Sequence, residues 1–506
     1  MIRSIGEIPG AAAHVYGDKT VLVCEDRSLS FSELDALSNK LASALIELGV
    51  QMGDRVTLYS PNCWEWVVSY YGILKTGAVV NPINVMLTPS EVEFIANDCG
   101  ASVVIASYEK AMSIQNVKES SNVRELIAFG NEPLPDGMLS FNAVLDAAND
   151  NFEIPDIDPL SLSTIGYTSG TTGHPKGACL SHHSILLNVA MTALMHQRCD
   201  RDTVVTALPC PHVYGNVVMS GAVQSGMTLV LHPSFDEKVI LQSIQAHRAT
   251  LFEGVPTMFM FLLNYPDLDS YDLSSLRCCT VGGQTMPVPK MQEVEARFGC
   301  PLIELWGMTE LGGLGTTFAS NGPVKHGSIG VALPYVEARI ASTEDANITL
   351  PAGDIGELMI KGGVVMQGYF GNEQATRETI EADGWLHTGD VASMDEDGCI
   401  FIVDRKKDMI LTAGYNVYPA EIERVVAGHQ DVALVAVGSV PDEEKGELAK
   451  AYIVPKTGAQ PDADDIISYC RAHLAAYKVP RAVQFVDDLP KTSTGKIMRR
   501  ALHTLD

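Results

Sequence analysis

The chain is short of positive charge. It has 35 lysines and arginines against 62 aspartates and glutamates, a formal net charge of −27. So acidic a surface repels phosphate backbones and anionic lipid, which argues against nucleic acid and membrane surfaces as partners. Paired cysteines are also lacking. The eleven cysteines are scattered and none forms a Cys-x-x-Cys pair. They read as small buried thiols in a reducing compartment rather than as disulfides or metal ligands. An uninterrupted long apolar run is missing too. Thr203 to Phe235 contains no Asp, Glu, Lys or Arg, but Pro209, Pro211, His212, Gly215, Asn216, Gly221 and Gly226 break it. A buried strand-turn-helix is expected there, with no stable membrane insertion. The first residues hold no signal-peptide core, and Leu-His-Thr-Leu-Asp at the end is not a peroxisomal address. A cytoplasmic protein is expected. There is no repeat of fixed period and no low-complexity segment.

What is present is a chain of 506 residues, 46% hydrophobic, long enough for several cores. Ser30-x-x-Glu33 is a capping box, and Leu34, Leu37, Leu41, Leu45 and Leu48 follow at helical spacing until Gly49. Short strands are predicted at Arg55 to Tyr59, Ala78 to Asn81, Ser102 to Ala106 and Thr228 to Leu231. Strands alternating with helices imply an α/β fold with parallel sheets covered by helices. After about residue 330, Gly and Pro punctuate short runs: Gly356 to Lys361, Gly362 to Gly371 and Gly398 to Val403. That texture suits antiparallel strands and a small barrel-like subdomain. The charge cluster Asp404-Arg-Lys-Lys-Asp408 then precedes a unit with its own pattern. It has helices near Pro419 and near Ile466 to Leu474, and strands at Val432 to Val437 and Ala449 to Val454. We place domains at 1–404 and 409–506, with 405–408 between them.

The densest local signal is Tyr167-Thr-Ser-Gly-Thr-Thr-Gly-His-Pro-Lys-Gly177. Its glycines Gly170, Gly173 and Gly177 permit close backbone approach to a ligand. Thr168, Ser169, Thr171, Thr172 and Lys176 supply hydroxyls and a charge suited to phosphate oxygens. It is not a Walker A loop, because Pro175 stands four residues after Gly170 where that pattern needs Gly-Lys-Ser/Thr. Five further segments follow in order: Gly282-Gly283-Gln284, Trp306-Gly307-Met308-Thr309-Glu310, Trp385 to Asp390, Asp404 to Asp408 and Pro490 to Lys496.

In this order and spacing the six segments resemble those of the adenylate-forming superfamily: acyl- and aryl-CoA synthetases, firefly-type luciferases and peptide-synthetase adenylation domains. The resemblance covers essentially the whole chain. It implies a large N-terminal domain of two α/β subdomains plus a distorted β-barrel, and a small mobile α+β C-terminal domain. It also implies a reaction: a carboxylate attacks the α-phosphate of ATP, pyrophosphate leaves, and a thiol displaces AMP from the acyl-adenylate. Charge crowds around the α-phosphorus, so positioning and electrostatics carry most of that catalysis.

By resemblance, Thr168 to Lys176 wrap the β- and γ-phosphates, Thr309 touches the α-phosphate, and Glu310 holds Mg²⁺, a hard ion that prefers carboxylate oxygen. Trp306 stacks on adenine, Gly282, Gly283 and Gln284 line the purine beside Gly307 and Met308, and Asp390 and Arg405 take the ribose hydroxyls. Lys496 is the catalytic lysine, a point charge on a flexible stem bridging carboxylate and α-phosphate. Lys407 is the hinge, and Gly414 lets the pantetheine of coenzyme A pass once the small domain has turned.

The acid is less constrained. By the same resemblance the pocket candidates are His212, Tyr214, Gly215, Val217, Phe252, Val255, Gly282, Gly307 and Gly312, small or apolar apart from His212 and Tyr214. Gly307, where acetate-activating relatives carry tryptophan, implies an acid larger than acetate or propionate. His212, where amino-acid-activating domains carry aspartate, argues against an amino acid. Pro211 replaces an aromatic common before that histidine, so the loop is not expected to gate the acyl site in the usual way. An aryl, hydroxycinnamate-like acid and a medium- or long-chain fatty acid both remain. ATP, Mg²⁺ and coenzyme A are the expected cofactors, a small carboxylic acid the expected partner, with homodimerisation allowed. Two alternatives stay open: a stand-alone enzyme loading an acyl carrier protein, and a non-catalytic acyl- or nucleotide-binding relative.

Overall fold

The capping box predicted at Ser30 is present. Its hydroxyl accepts from Glu33 N at 3.1 Å, and the Glu33 carboxylate accepts from Ser30 N at 2.7 Å. The helix Phe31–Glu47 that follows buries Leu34, Leu41 and Leu45. The computed structural model describes residues 2–130, 132–168, 175–412, 415–442, 446–491 and 497–506.

Two large sheets carry the fold. In one of eight strands, Leu162–Thr168, Val79–Pro82, Arg55–Tyr59, Ala101–Ala106, Glu125–Ala128 and Met138–Ser140 run parallel. Lys176–Ser181 and Gly368–Tyr369 extend its other edge antiparallel. In one of nine strands, Leu302–Met308, Cys278–Gly282, Leu251–Gly254, Thr203–Thr206, Thr228–Leu231 and Thr20–Cys24 form the parallel centre. Antiparallel strands close both its edges. The charge-free stretch from Thr203 folds as expected, into a strand, the buried helix Val213–Gln224 and a second strand. No helix among the described residues is long and apolar enough to cross a membrane.

A four-stranded antiparallel sheet, Val336–Ala341, Gly356–Gly362, Leu386–Met394 and Ile400–Arg405, occupies the Gly- and Pro-punctuated region after residue 330, where antiparallel strands were expected. Beyond Gly362, the run to Gly371 does not join it. Its strand Gly368–Tyr369 pairs instead with Cys179 and Ala178 of the eight-stranded sheet, which carries Tyr369 to the candidate site.

After Arg405 the chain enters another sheet, built from Ile410–Thr412, Tyr415–Val417, Val432–Asp442, Gly446–Pro455 and Ala482–Phe485. The helices Pro419–Val426 and Ala463–His473 contribute to a separate core around Ile410, Ile422, Val437, Ile453 and Ile466. The segment between the sheets is held on its N-terminal side. Lys406 N donates to Gly389 O at 2.9 Å, and Lys406 Nζ lies 3.0 Å from Glu357.

Candidate active site

Thr168, Gly283 and Thr309 lie at or just beyond the carboxyl ends of strands, where open α/β sheets build their sites, whereas Trp306 and Asp390 lie within theirs. Thr168 and Lys176 are the described ends of the predicted phosphate loop. They face each other across an antiparallel pair, Thr168 Oγ1 donating to Lys176 O at 3.5 Å. Ser169, Gly170, Thr171, Thr172 and Gly173 lie outside the described residues, as do Gly414 and Lys496.

Thr309 and Glu310 form a single 3₁₀ turn directly after the strand Leu302–Met308, and Gly312 ends it with φ +62°, a left-handed conformation that favours glycine. Thr309 lies against Gly166 of the other large sheet. An ideal Cβ on Gly166 would fall 2.7 Å from Thr309 Cγ2, so glycine there lets the two sheets meet at this threonine. Glu310 is buried, and Tyr369 Oη donates to its Oε1 at 2.8 Å. Lys176 Nζ lies 5.3 Å from the centre of the Tyr369 ring. The phosphate-loop lysine, Tyr369 and Glu310 thus form one group. Burial and the neighbouring Glu310 push the Tyr369 phenol well above its ordinary range, so it stays a neutral donor. Among the described residues no three His, Cys, Asp or Glu side chains cluster as a metal cage. A single carboxylate suits Mg²⁺, which keeps waters and shares nucleotide phosphates.

Trp306 Nε1 donates to Asp390 Oδ2 at 2.7 Å, and Arg405 Nε lies 3.3 Å from Asp390 Oδ1. Asp390 and Arg405 are also cross-strand neighbours. The residues predicted for adenine and ribose therefore converge from two different sheets. Gly283 is exposed, with half-buried Gln284 beside it. Glu304 lies two residues before Trp306. Its Oε1 accepts from Met286 N at 3.4 Å, while its buried Oε2 has no hydrogen-bond partner among the described residues. Burial pushes its carboxyl up to about 8, against the Met286 N–H and the charge of Arg424.

A cavity of about 400 Å³ opens beside Thr309. His212, Val255 and Gly312 line it, together with Pro211. His212 also caps the helix Val213–Gln224, its Nδ1 accepting from Tyr214 N at 3.3 Å. The other pocket candidates lie behind the wall. Tyr214 turns its hydroxyl to Thr280 Oγ1 at 2.7 Å, and Phe252 packs on Phe259. Val217 fills the space beside Gly313. Gly215 and Gly282 are close-packing positions, where a Cβ would meet Pro209 O and Leu305 Cδ1 at 2.2 Å each. Gly307 also needs correction. A Cβ there would come within 2.0 Å of Gly313 O, so its side-chain direction points at the adjacent strand and not into the cavity. Met308, half-buried, pairs with Gly313 on that strand.

Three contributors escaped sequence reasoning. Tyr369 is one; a tyrosine directly after Gly368 was its only local signal. Tyr70 lines the cavity from the helix Trp64–Lys75, and nothing in its own segment marks it. Lys491 also lines the cavity, with Nζ 5.8 Å from the Phe261 ring centre, and pairs through an isolated bridge with Ile497. Lys491 and Ile497 flank Lys496 in the chain.

The residues that the resemblance assigns to nucleotide and acid thus converge around one cavity, the arrangement expected of an enzyme that activates acids with a nucleotide. The chain belongs to the AMP-binding enzyme family, whose model matches residues 10–370, with the family's C-terminal domain model matching 421–496. It is 36% identical over 528 residues to a long-chain-fatty-acid–CoA ligase of Bacillus subtilis (strain 168), covering 99% of this chain and 94% of that protein. It is 34% identical to a feruloyl-CoA synthase of Amycolatopsis sp, over 98% of both chains. Its fold matches the anthranilate CoA ligase AuaEII in complex with anthranoyl-AMP, with a TM-score of 0.94, 29% identity and coverage of 99% and 97%.

Proposed function

We propose that this protein is an AMP-forming carboxylic acid–CoA ligase acting on an aryl or a medium- or long-chain fatty acid. The observation that carries this reading is the Thr309–Glu310 turn. It has the Tyr369–Lys176 group against Glu310 and an apolar cavity beside Thr309. ATP and coenzyme A are the co-substrates. Relatives matched over nearly their full length include ligases named for long-chain fatty acids and for ferulate, which supports both acid classes.

In this reading Glu310 holds Mg²⁺, with Tyr369 fixing the direction of its carboxylate. Lys176 and the loop after Thr168 hold the leaving pyrophosphate. Trp306, Asp390 and Arg405 seat the nucleoside, so that Thr309 meets the α-phosphate where the acid's carboxylate arrives from the cavity. Lys496 draws the two anions together. Residues 1–404 and 409–506 act as two bodies about Lys407, bringing Gly414 to the adenylate for thioester formation. The protein is cytoplasmic, which the eleven unpaired cysteines support. It forms a homodimer, to be checked by light scattering on a sizing column.

The test is AMP release dependent on both ATP and CoA, over a panel of aryl, straight-chain and branched acids. Release with at least one class supports the reading. No release with any of them, or release only with a carrier protein in place of CoA, overturns it.

A further inference from the structure

The cavity has an exposed end and a buried end. Phe261, 41% exposed, stands at the outer end, and Tyr70, fully buried, at the inner end. Leu180 and Ile185 line it beside Gly312. The inner end is not apolar. Tyr70 Oη donates to Asn216 Oδ1 at 3.2 Å, and Ser220 Oγ donates to the same oxygen at 3.5 Å. The Thr164 hydroxyl lies beside Tyr70.

Asn216 is 8% exposed and lines the cavity. Its Nδ2 has no partner among the described residues. An amide carries two polar ends. Whichever way this one is turned, one end is engaged by Tyr70 and Ser220 and the other is left for whatever fills the cavity. A purely alkyl tail laid against it would strip its water and return no hydrogen bond, a cost that selects against that tail.

The distance from the reacting end can be read along one strand. Gly166 abuts Thr309, and Thr164 lies two residues earlier on the same face of Leu162–Thr168. Two residues of strand span about 7 Å, and from Thr164 the Tyr70 hydroxyl leads on to Asn216 at 3.2 Å, a combined reach that suits a ring carried on a short spacer from the carboxylate, as in a hydroxycinnamate.

Resting on the ligase reading above, we propose that Asn216, braced by Tyr70, is a specificity-determining residue. It donates a hydrogen bond to a hydroxyl or ketone oxygen at the distal end of a ring-bearing acid, and the preferred substrate is an oxygenated ring acid rather than a plain fatty acid.

The test compares 4-hydroxycinnamate, cinnamate and decanoate in the AMP-release assay. The wild type should favour 4-hydroxycinnamate over cinnamate by about tenfold or more in kcat/KM, since a site built to bond an oxygen rejects the analogue lacking it. Asn216→Leu should collapse that ratio toward one while the KM for ATP stays within about twofold. Tyr70→Phe, which keeps the ring stacked on Trp66, should lower the ratio less. Equal or better use of cinnamate or decanoate by the wild type overturns the inference while leaving the ligase reading intact. So does an unchanged ratio in Asn216→Leu. Absence of AMP release with all three acids and with the wider panel is failure of the ligase reading itself. The wild-type ratio does not depend on either variant folding.

Discussion

Arg499 Nη1 lies 2.6 Å from Asp404 Oδ1, an ion pair that reaches from the C-terminal segment to the last residues before the 405–408 linker. The same guanidinium meets Glu423 at 2.6 Å and Asp408 at 3.4 Å. Asp404 Oδ2 also accepts from Ala420 N at 2.7 Å, at the start of the first helix beyond the linker. Arg499 is three residues from Lys496. We therefore expect Arg499→Ala to slow adenylation at least tenfold, measured by ATP–pyrophosphate exchange. Its effect on thioester formation from pre-made acyl-adenylate should be smaller. Lys496→Ala should nearly abolish the first half-reaction and largely spare the second. Equal losses in both half-reactions, for either variant, would contradict these roles.

Tyr369→Phe removes the hydroxyl that directs Glu310 and keeps the ring beneath Lys176. Partners that orient a metal ligand typically matter 10- to 100-fold in metal affinity. The Mg²⁺ concentration for half-maximal pyrophosphate exchange should rise about tenfold or more. An unchanged Mg²⁺ titration would separate Tyr369 from the metal.

Gly307→Trp does not act as a simple plug for the cavity, because the first side-chain carbon already collides with Gly313 O. Overpacking of this kind costs about 1–3 kcal/mol or more. Even Gly307→Ala should lower the melting temperature by several degrees and depress activity on all acids in proportion. A clean shift toward acetate at unchanged stability would show that the strand yields and that the pocket extends there after all.

Glu304 makes stability depend on pH. Between the ordinary glutamate value of 4.5 and about 8, the folded chain keeps a proton that the unfolded chain has lost. Stability therefore falls as pH rises through this window, by up to about 1.4 kcal/mol per pH unit. Glu304→Gln should remove that slope. Urea unfolding at pH 5, 6.5 and 8 should show the variant gaining on the wild type as pH rises. Parallel profiles would mean that Glu304 ionises normally.

Local rules made much of the fold readable in advance. The Ser30–Glu33 capping box, the leucine stripe after it and the short strands at Arg55, Ser102 and Thr228 are decided by neighbours within a few residues, and they appear where the pattern puts them. The segment Gly362 to Gly371 was misread because a Gly-rich run carries no mark of which sheet it will join. Pairing of Gly368 with Cys179, far away in the chain, settled that. The candidate site was half legible for the same reason. Trp306, Thr309, Glu310, Asp390 and Arg405 announced themselves through ordered motifs. Tyr369 and Tyr70 had no motif of their own to announce them, and Lys491 lay within the Pro490 to Lys496 segment without a role assigned to it.

The amino-acid sequence alone determined the chemistry. Ordered polar segments of fixed spacing are specific enough to define acid activation by a nucleotide, because each needs particular side chains near phosphate, metal or sugar. Only the tertiary structure decided what surrounds the acid. Which side chains face a cavity depends on the directions of strands and helices distant in sequence. Gly307, Tyr214, Val217 and Phe252 turned into packing, whereas Asn216 and Tyr70, brought together from two helices, became its polar end.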